Sequence, residues 1–133
     1  MLCTLKVLVL TGDEEEACHL QEILGNYAFL VHAKDVAEVA FRLEEESCDV
    51  LFCAWAFYRD FWNGALQGMR DRYPDLPVVV LSRTGSEREW LEVLEAGAFD
   101  LLAFPCQKTA LLGVVEQAAD SHEARRARKL AIM

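Results

Sequence analysis

Apolar positions along the chain alternate between short continuous runs and stripes at three-to-four spacing, and the two patterns take turns five times. Leu5-Lys6-Val7-Leu8-Val9-Leu10 is almost wholly apolar, as a strand buried on both faces requires. Thr11-Gly12-Asp13 follows as a turn, with Asp13 placed to cap a helix whose first turn carries Glu14, Glu15 and Glu16. Ala17, Leu20, Ile23 and Leu24 form that helix's apolar stripe, and Gly25-Asn26 ends it. The next strand covers Ala28 to His32, and a second helix starts near Asp35 with Val36, Val39, Ala40 and Leu43 facing inward. Asp49 to Ala54 is the third strand; a third helix is expected over Asp60 to Arg72, stopped by Tyr73-Pro74. Leu76 to Ser82 is the fourth strand and the richest in β-branched residues. Ser86 and Glu89 have the spacing of a capping box, opening a helix that ends at Gly97. Asp100 to Phe104 is the fifth strand, and after Pro105 a last helix runs from Lys108 to at least Ala119. Strands alternating with helices through short loops predict an α/β fold: one doubly wound parallel sheet with helices on both faces.

Composition narrows the functional classes. The chain of 133 residues is 53% hydrophobic and 26% charged, enough for one sizeable core. A net charge of −9 disfavours nucleic acid as a partner, because phosphate contacts need clustered Lys and Arg. The one basic cluster is Arg125, Arg126, Arg128 and Lys129, so the chain divides into a domain over 1–121 and a basic helical extension or linker stub over 122–133. No apolar run is long enough to span a bilayer, and the start lacks the layout of a signal peptide. The five cysteines are scattered and form no CxxC pair, which predicts neither a zinc site nor a disulfide framework. Cys18, Cys48 and Cys53 occupy positions suited to apolar residues, so buried free thiols and a reducing, cytoplasmic setting are expected. No GxGxxG, Walker or nucleophile-elbow motif occurs, and the three histidines are far apart, so no enzyme, cofactor or metal site is predicted.

Several stretches resemble the receiver domains of bacterial response regulators, the CheY-like family. Arg70-Asp71-Arg72-Tyr73-Pro74-Asp75-Leu76-Pro77, running into Val78-Val79-Val80-Leu81-Ser82, reads like that family's third helix, turn and fourth strand. Glu95-Ala96-Gly97-Ala98-Phe99-Asp100 reads like its approach to the fifth strand, and Pro105 falls where the family has a proline after its lysine. Glu44 to Phe52 resembles the run into the third strand. The resemblance covers about Lys6 to Ala119 and implies a flavodoxin-like five-stranded sheet of order 2-1-3-4-5 with five helices. It also places the functional crevice at the carboxyl ends of strands one, three and five.

Receivers hold Mg²⁺ on an acidic pair after strand one and accept a phosphoryl group on an aspartate ending strand three. They also use a hydroxyl after strand four and a lysine ending strand five. Here Thr11 and Gly12 stand at the acidic pair, with only Asp13 offering a carboxylate. Ala54 stands at the acceptor, Ser82 keeps the hydroxyl, and Phe104 replaces the lysine. Leu101 replaces an aromatic switch residue. Methyl and phenyl groups neither accept phosphate nor bind a cation, so the resemblance implies a degenerate receiver without phosphoryl transfer. Asp60 is the nearest substitute acceptor; Asp49 begins its strand and belongs to the opposite edge of the sheet.

The crevice is expected to be apolar, with Ala54, Trp55, Phe57 and Phe104 converging and Phe104 filling the vacated volume. Trp55 to Trp62 carries five aromatics in what reads as a loop leading into a helix, so part of it should be exposed. The reading that follows is phosphorylation-independent contact with a protein partner or a second copy. The resemblance to receivers implies the face of helix four, strand five and helix five as its surface, with Trp90, Leu101, Trp55 and Phe57 as interaction residues. The alternative is a small-molecule sensor using the apolar pocket.

Overall fold

The computed structural model describes the backbone of residues 5–61 and 71–132, and the side chains within 5–58 and 71–122. The apolar runs form β1 (Leu5–Leu10), β2 (Ala28–Ala33), β3 (Val50–Ala54), β4 (Val78–Ser82) and β5 (Asp100–Ala103). They associate as one parallel sheet in the order β2-β1-β3-β4-β5. Between them lie α1 (Glu14–Leu24), α2 (Val36–Glu45), α3 (Trp55–Phe61), α4 (Glu87–Glu95) and α5 (Lys108–Ile132). This is the flavodoxin-like arrangement, with five helices bounded among the described residues.

Alternation along each strand divides the core into two layers. Leu8, Leu10, Leu51, Cys53, Val78, Val80 and Leu101 pack toward Val39 and Leu43 of α2, Tyr58 of α3 and Val93 of α4. Val7, Val9, Val50, Phe52, Val79 and Leu81 pack toward Leu20 and Leu24 of α1 and toward Leu111, Val115 and Ala118 of α5. The central strands β3 and β4 are buried at every position, which is why their sequences show no polar alternation.

Helix starts follow side-chain chemistry. Asp13 accepts the Glu15 N–H at 2.9 Å, Asp35 accepts the Glu38 N–H at 2.8 Å, and Ser86 accepts the Glu89 N–H at 3.2 Å. Beyond Asp35 the Glu38 carboxylate reaches back to the preceding residue and takes the Lys34 N–H at 3.0 Å. Gly97, at φ 105°, ends α4 in a backbone region that favours glycine.

One boundary departs from expectation. The third helix begins at Trp55, directly after β3, and not at Asp60. The aromatic segment predicted as a loop is therefore helical from its first residue, since Trp55 and Tyr58 lie one turn apart and stack at 5.8 Å. Residues 71 and 72 are again helical, while residues 62–70 of the expected helix, and the side chain of Asp60, lie outside the described residues.

Candidate functional site

The carboxyl ends of β1, β3 and β4 open into a crevice of about 550 Å³, walled by Thr11, Gly12, Ala54, Trp55, Phe57 and Ser82 and rimmed by Asp13, Glu16, Arg83, Thr84 and Glu89. Ala54 is the last residue of β3 and pairs with Leu81 of β4, so a methyl group lies at the centre of the site. Trp55 and Phe57, both half-buried, pack against the core layer beside it.

Polar chemistry enters from positions the sequence did not single out. Glu16, in the first turn of α1, is only 6% exposed, and its carboxylate accepts the Thr11 hydroxyl at 2.6 Å. The same Thr11 oxygen accepts the Asp13 N–H at 3.0 Å, and a ring nitrogen of His32 bonds the Thr11 carbonyl at 2.8 Å. Arg83, the residue after β4, reaches across the mouth of the crevice. Its guanidinium bonds the Asp13 carboxylate and lies 3.5 Å from Glu16 and 3.7 Å from Glu15. The Glu15 N–H and then the Arg83 side chain favour the charged form of Asp13, holding its carboxyl below the usual range. Three carboxylates therefore share one permanent cation.

Across the crevice, a second network fixes the hydroxyl of β4. Ser82 and Thr84 donate to the Glu89 carboxylate at 2.5 and 2.6 Å. The Ser82 oxygen also accepts the N–H groups of Thr84 and Gly85, at 3.3 and 3.1 Å. These hydroxyl donors, Ser82 first, lower the Glu89 pKa. The predicted capping box is thus half formed: Ser86 caps α4, but the Glu89 carboxylate turns into the crevice.

Phe104 does not line the cavity as expected. Its ring meets His19 edge-on at 5.0 Å and lies under the Arg83 guanidinium, 4.5 Å from ring centroid to carbon. His19 is held in turn by the Cys106 N–H at 3.0 Å. The phenyl thus supports the cation from beneath, and the vacated volume stays open. Leu101, expected on an interaction surface, is buried in the core layer against β4, because its side chain points inward from β5. Trp90 is partly exposed, and its indole N–H bonds Asp100 at 3.0 Å, tying α4 to β5.

Of the cysteines predicted to be buried, Cys18 is exposed, since it faces away from α1's inner stripe of Leu20 and Leu24. Cys53 is buried, and desolvation pushes its thiol up to about 12, which removes thiolate chemistry beside Ala54. Asp49 lies at the far end of the sheet, where it accepts the Lys6 N–H at 2.9 Å and pairs with His122 at 3.5 Å.

The donor set does not fit the Mg²⁺ that a receiver would hold. A guanidinium sits among the Asp13, Glu15 and Glu16 carboxylates, and the described residues contain no cluster arranged to bind a metal ion. Glu16 was illegible in a run of three glutamates, where only the fold reveals which one turns inward. Arg83 could have been noticed as the sole cation next to a crevice strand end.

No family model and no curated protein matches the sequence. Solved structures do match. The chain is similar to NtrX from Brucella abortus, in a structure with ADP, at TM-score 0.82 and 19% identity over 96% of the chain. It spans only 29% of that protein. A response regulator from Thermotoga maritima matches at TM-score 0.79 and 23% identity, covering 89% of the chain and 99% of the regulator. The Francisella response regulator 1452 receiver domain matches at TM-score 0.73 and 24% identity, covering 88% and 98%. The fold is thus that of response-regulator receiver domains. Among the described residues, no helix is long and apolar enough to cross a membrane.

Proposed function

We propose that the chain is a receiver-type signalling module of the two-component kind that has left phosphoryl transfer and acts through protein–protein contact. The carrying observation is Ala54 at the carboxyl end of β3, flanked by a crevice whose polar side chains already bond one another. Arg83 supplies the positive charge that a metal ion or lysine would otherwise bring to Asp13 and Glu16. Glu89 engages the Ser82 hydroxyl that would otherwise meet a phosphoryl oxygen. In this reading both halves of the site are fixed by side chains without a ligand. The β4–α4 loop then holds one position, and the module presents a constant surface.

That surface is the face of α4, β5 and α5, with Trp90 as its aromatic anchor and the half-exposed Leu91 beside it. Trp55 and Phe57 belong to the crevice wall instead. The setting proposed is cytoplasmic.

Melting the protein with and without Mg²⁺ and beryllofluoride tests the reading. An unchanged melting temperature is the expected result. A rise that requires both additives would contradict a site closed by Arg83.

A small-molecule sensor is the second reading, favoured by the open volume beneath Trp55 and Phe57. A melt screen against metabolites separates the two.

A further inference from the structure

The two edges of the sheet are built differently. At one edge β5 has four residues, opens with Asp100, is tied to α4 by the Trp90 indole and runs into Phe104-Pro105. Those are the features that keep an edge strand from pairing with another chain. At the other edge β2 has six residues, Ala-Phe-Leu-Val-His-Ala, with no charge and no proline. It lies within residues 23–33, the longest stretch of the chain without Asp, Glu, Lys or Arg.

Exposed large aromatics lie on this strand, just before it and on the outer side of α2. Tyr27 is 52% exposed, Phe29 57% and Phe41, on α2, 57%. By the two-residue period, Phe29 points to the side of the sheet that α2 covers, as Val31 and Ala33 do in the core layer there. Exposed aromatics on one edge of a small acidic domain mark a contact surface.

The backbone direction sets the register that a pairing strand must take. Thr11 N–H bonds the Ala33 carbonyl, so the odd residues of β2 turn their peptide groups toward β1. Ala28, Leu30 and His32 therefore direct theirs outward, and β2 has no strand partner on that side among the described residues. An antiparallel copy of the same strand, related by a two-fold axis through Leu30, matches this pattern. Ala28 faces His32 of the second copy, Leu30 faces Leu30, and every outward group finds a partner. Phe29 then lies opposite Val31 of the second copy, an aromatic with a β-branched residue, on the α2 face. Other registers leave part of the outward set unpaired or put mismatched faces together.

We infer that β2 is a self-association edge, through which two copies join their sheets by antiparallel β2–β2 pairing centred on Leu30. Such an interface is isologous and closed. It also leaves the α4, β5 and α5 face free, and it holds whether or not the crevice takes up phosphate.

Sedimentation equilibrium of the chain should give twice the monomer mass, and Phe29→Lys, which sets a charge into the pairing edge, should give the monomer. In a Cys18→Ser background, Leu30→Cys should form a disulfide-linked dimer under copper–phenanthroline, since opposed residues of a hydrogen-bonded pair lie about 5.5 Å apart. A parent chain that stays monomeric at its highest attainable concentration would overturn the inference. So would a Phe29→Lys protein that remains dimeric, or a dimer dissolved only by Trp90→Ala. Should Phe29→Lys fail to fold, the Leu30→Cys cross-link decides: formation supports β2 pairing and absence refutes it.

Discussion

Glu16 and Arg83 hold the crevice together as a pair of unequal members. The carboxylate is buried and keeps one hydroxyl donor, Thr11, when the guanidinium is removed, whereas the guanidinium is half-exposed and has other anions in reach. Arg83→Ala should therefore cost about 1–3 kcal/mol, the range for leaving a buried polar group under-satisfied. Adding Glu16→Gln should recover part of that loss, because the remaining group is neutral. A double-mutant cycle by chemical denaturation measures both numbers, and strictly additive effects would contradict the coupling. The pH response has a definite sign. Asp13 and Glu89 titrate below their ordinary values of 3.8 and 4.5, so each charged carboxylate is favoured in the folded state. Their contribution is complete above those ordinary values and is lost as pH falls through the depressed ones. The melting temperature should drop on acidification below pH ~4.5, and by less in Glu89→Gln.

At the scale of elements, the β4–α4 connection is constrained at Gly85. Gly85 has φ 59°, and a Cβ there would lie 2.6 Å from the Ala103 Cβ at the end of β5. Gly85→Ala should destabilise by about 1–2 kcal/mol, through both the unfavourable φ and the clash. Thermal or urea melts check this, and a neutral outcome would mean that the loop relaxes freely. The strands and most helix ends were legible in the sequence, because burial on both faces leaves continuous apolar runs and caps use few residue types. The start of α3 was not. Trp55, Ala56 and Phe57 carry no capping residue before them, so nothing local distinguishes a helix from a loop. The crevice was half legible. Ala54 and Ser82 fell where strand ends were expected, but the Phe104 ring packs under Arg83, which is sequence-distant from Asp13 and Glu16, and the Glu89 carboxylate turns to the Ser82 and Thr84 hydroxyls.

For the whole molecule, a crevice whose polar side chains bond one another and an aromatic anchor on α4 separate structure from signal chemistry. Trp90→Ala should weaken capture of a protein partner several-fold while melting close to the parent, since the indole is partly exposed and its one bond, to Asp100, lies at the surface. Pull-down against a soluble extract with both proteins checks it, and equal recovery would remove Trp90 from the interface. No group in the crevice is expected to take a phosphoryl group. This expectation is tested most directly by intact-mass spectrometry after incubation with Mg²⁺ and acetyl phosphate. The expected mass is that of the untreated chain. A stoichiometric gain of one phosphate would contradict this and would direct attention to Asp60 as the acceptor.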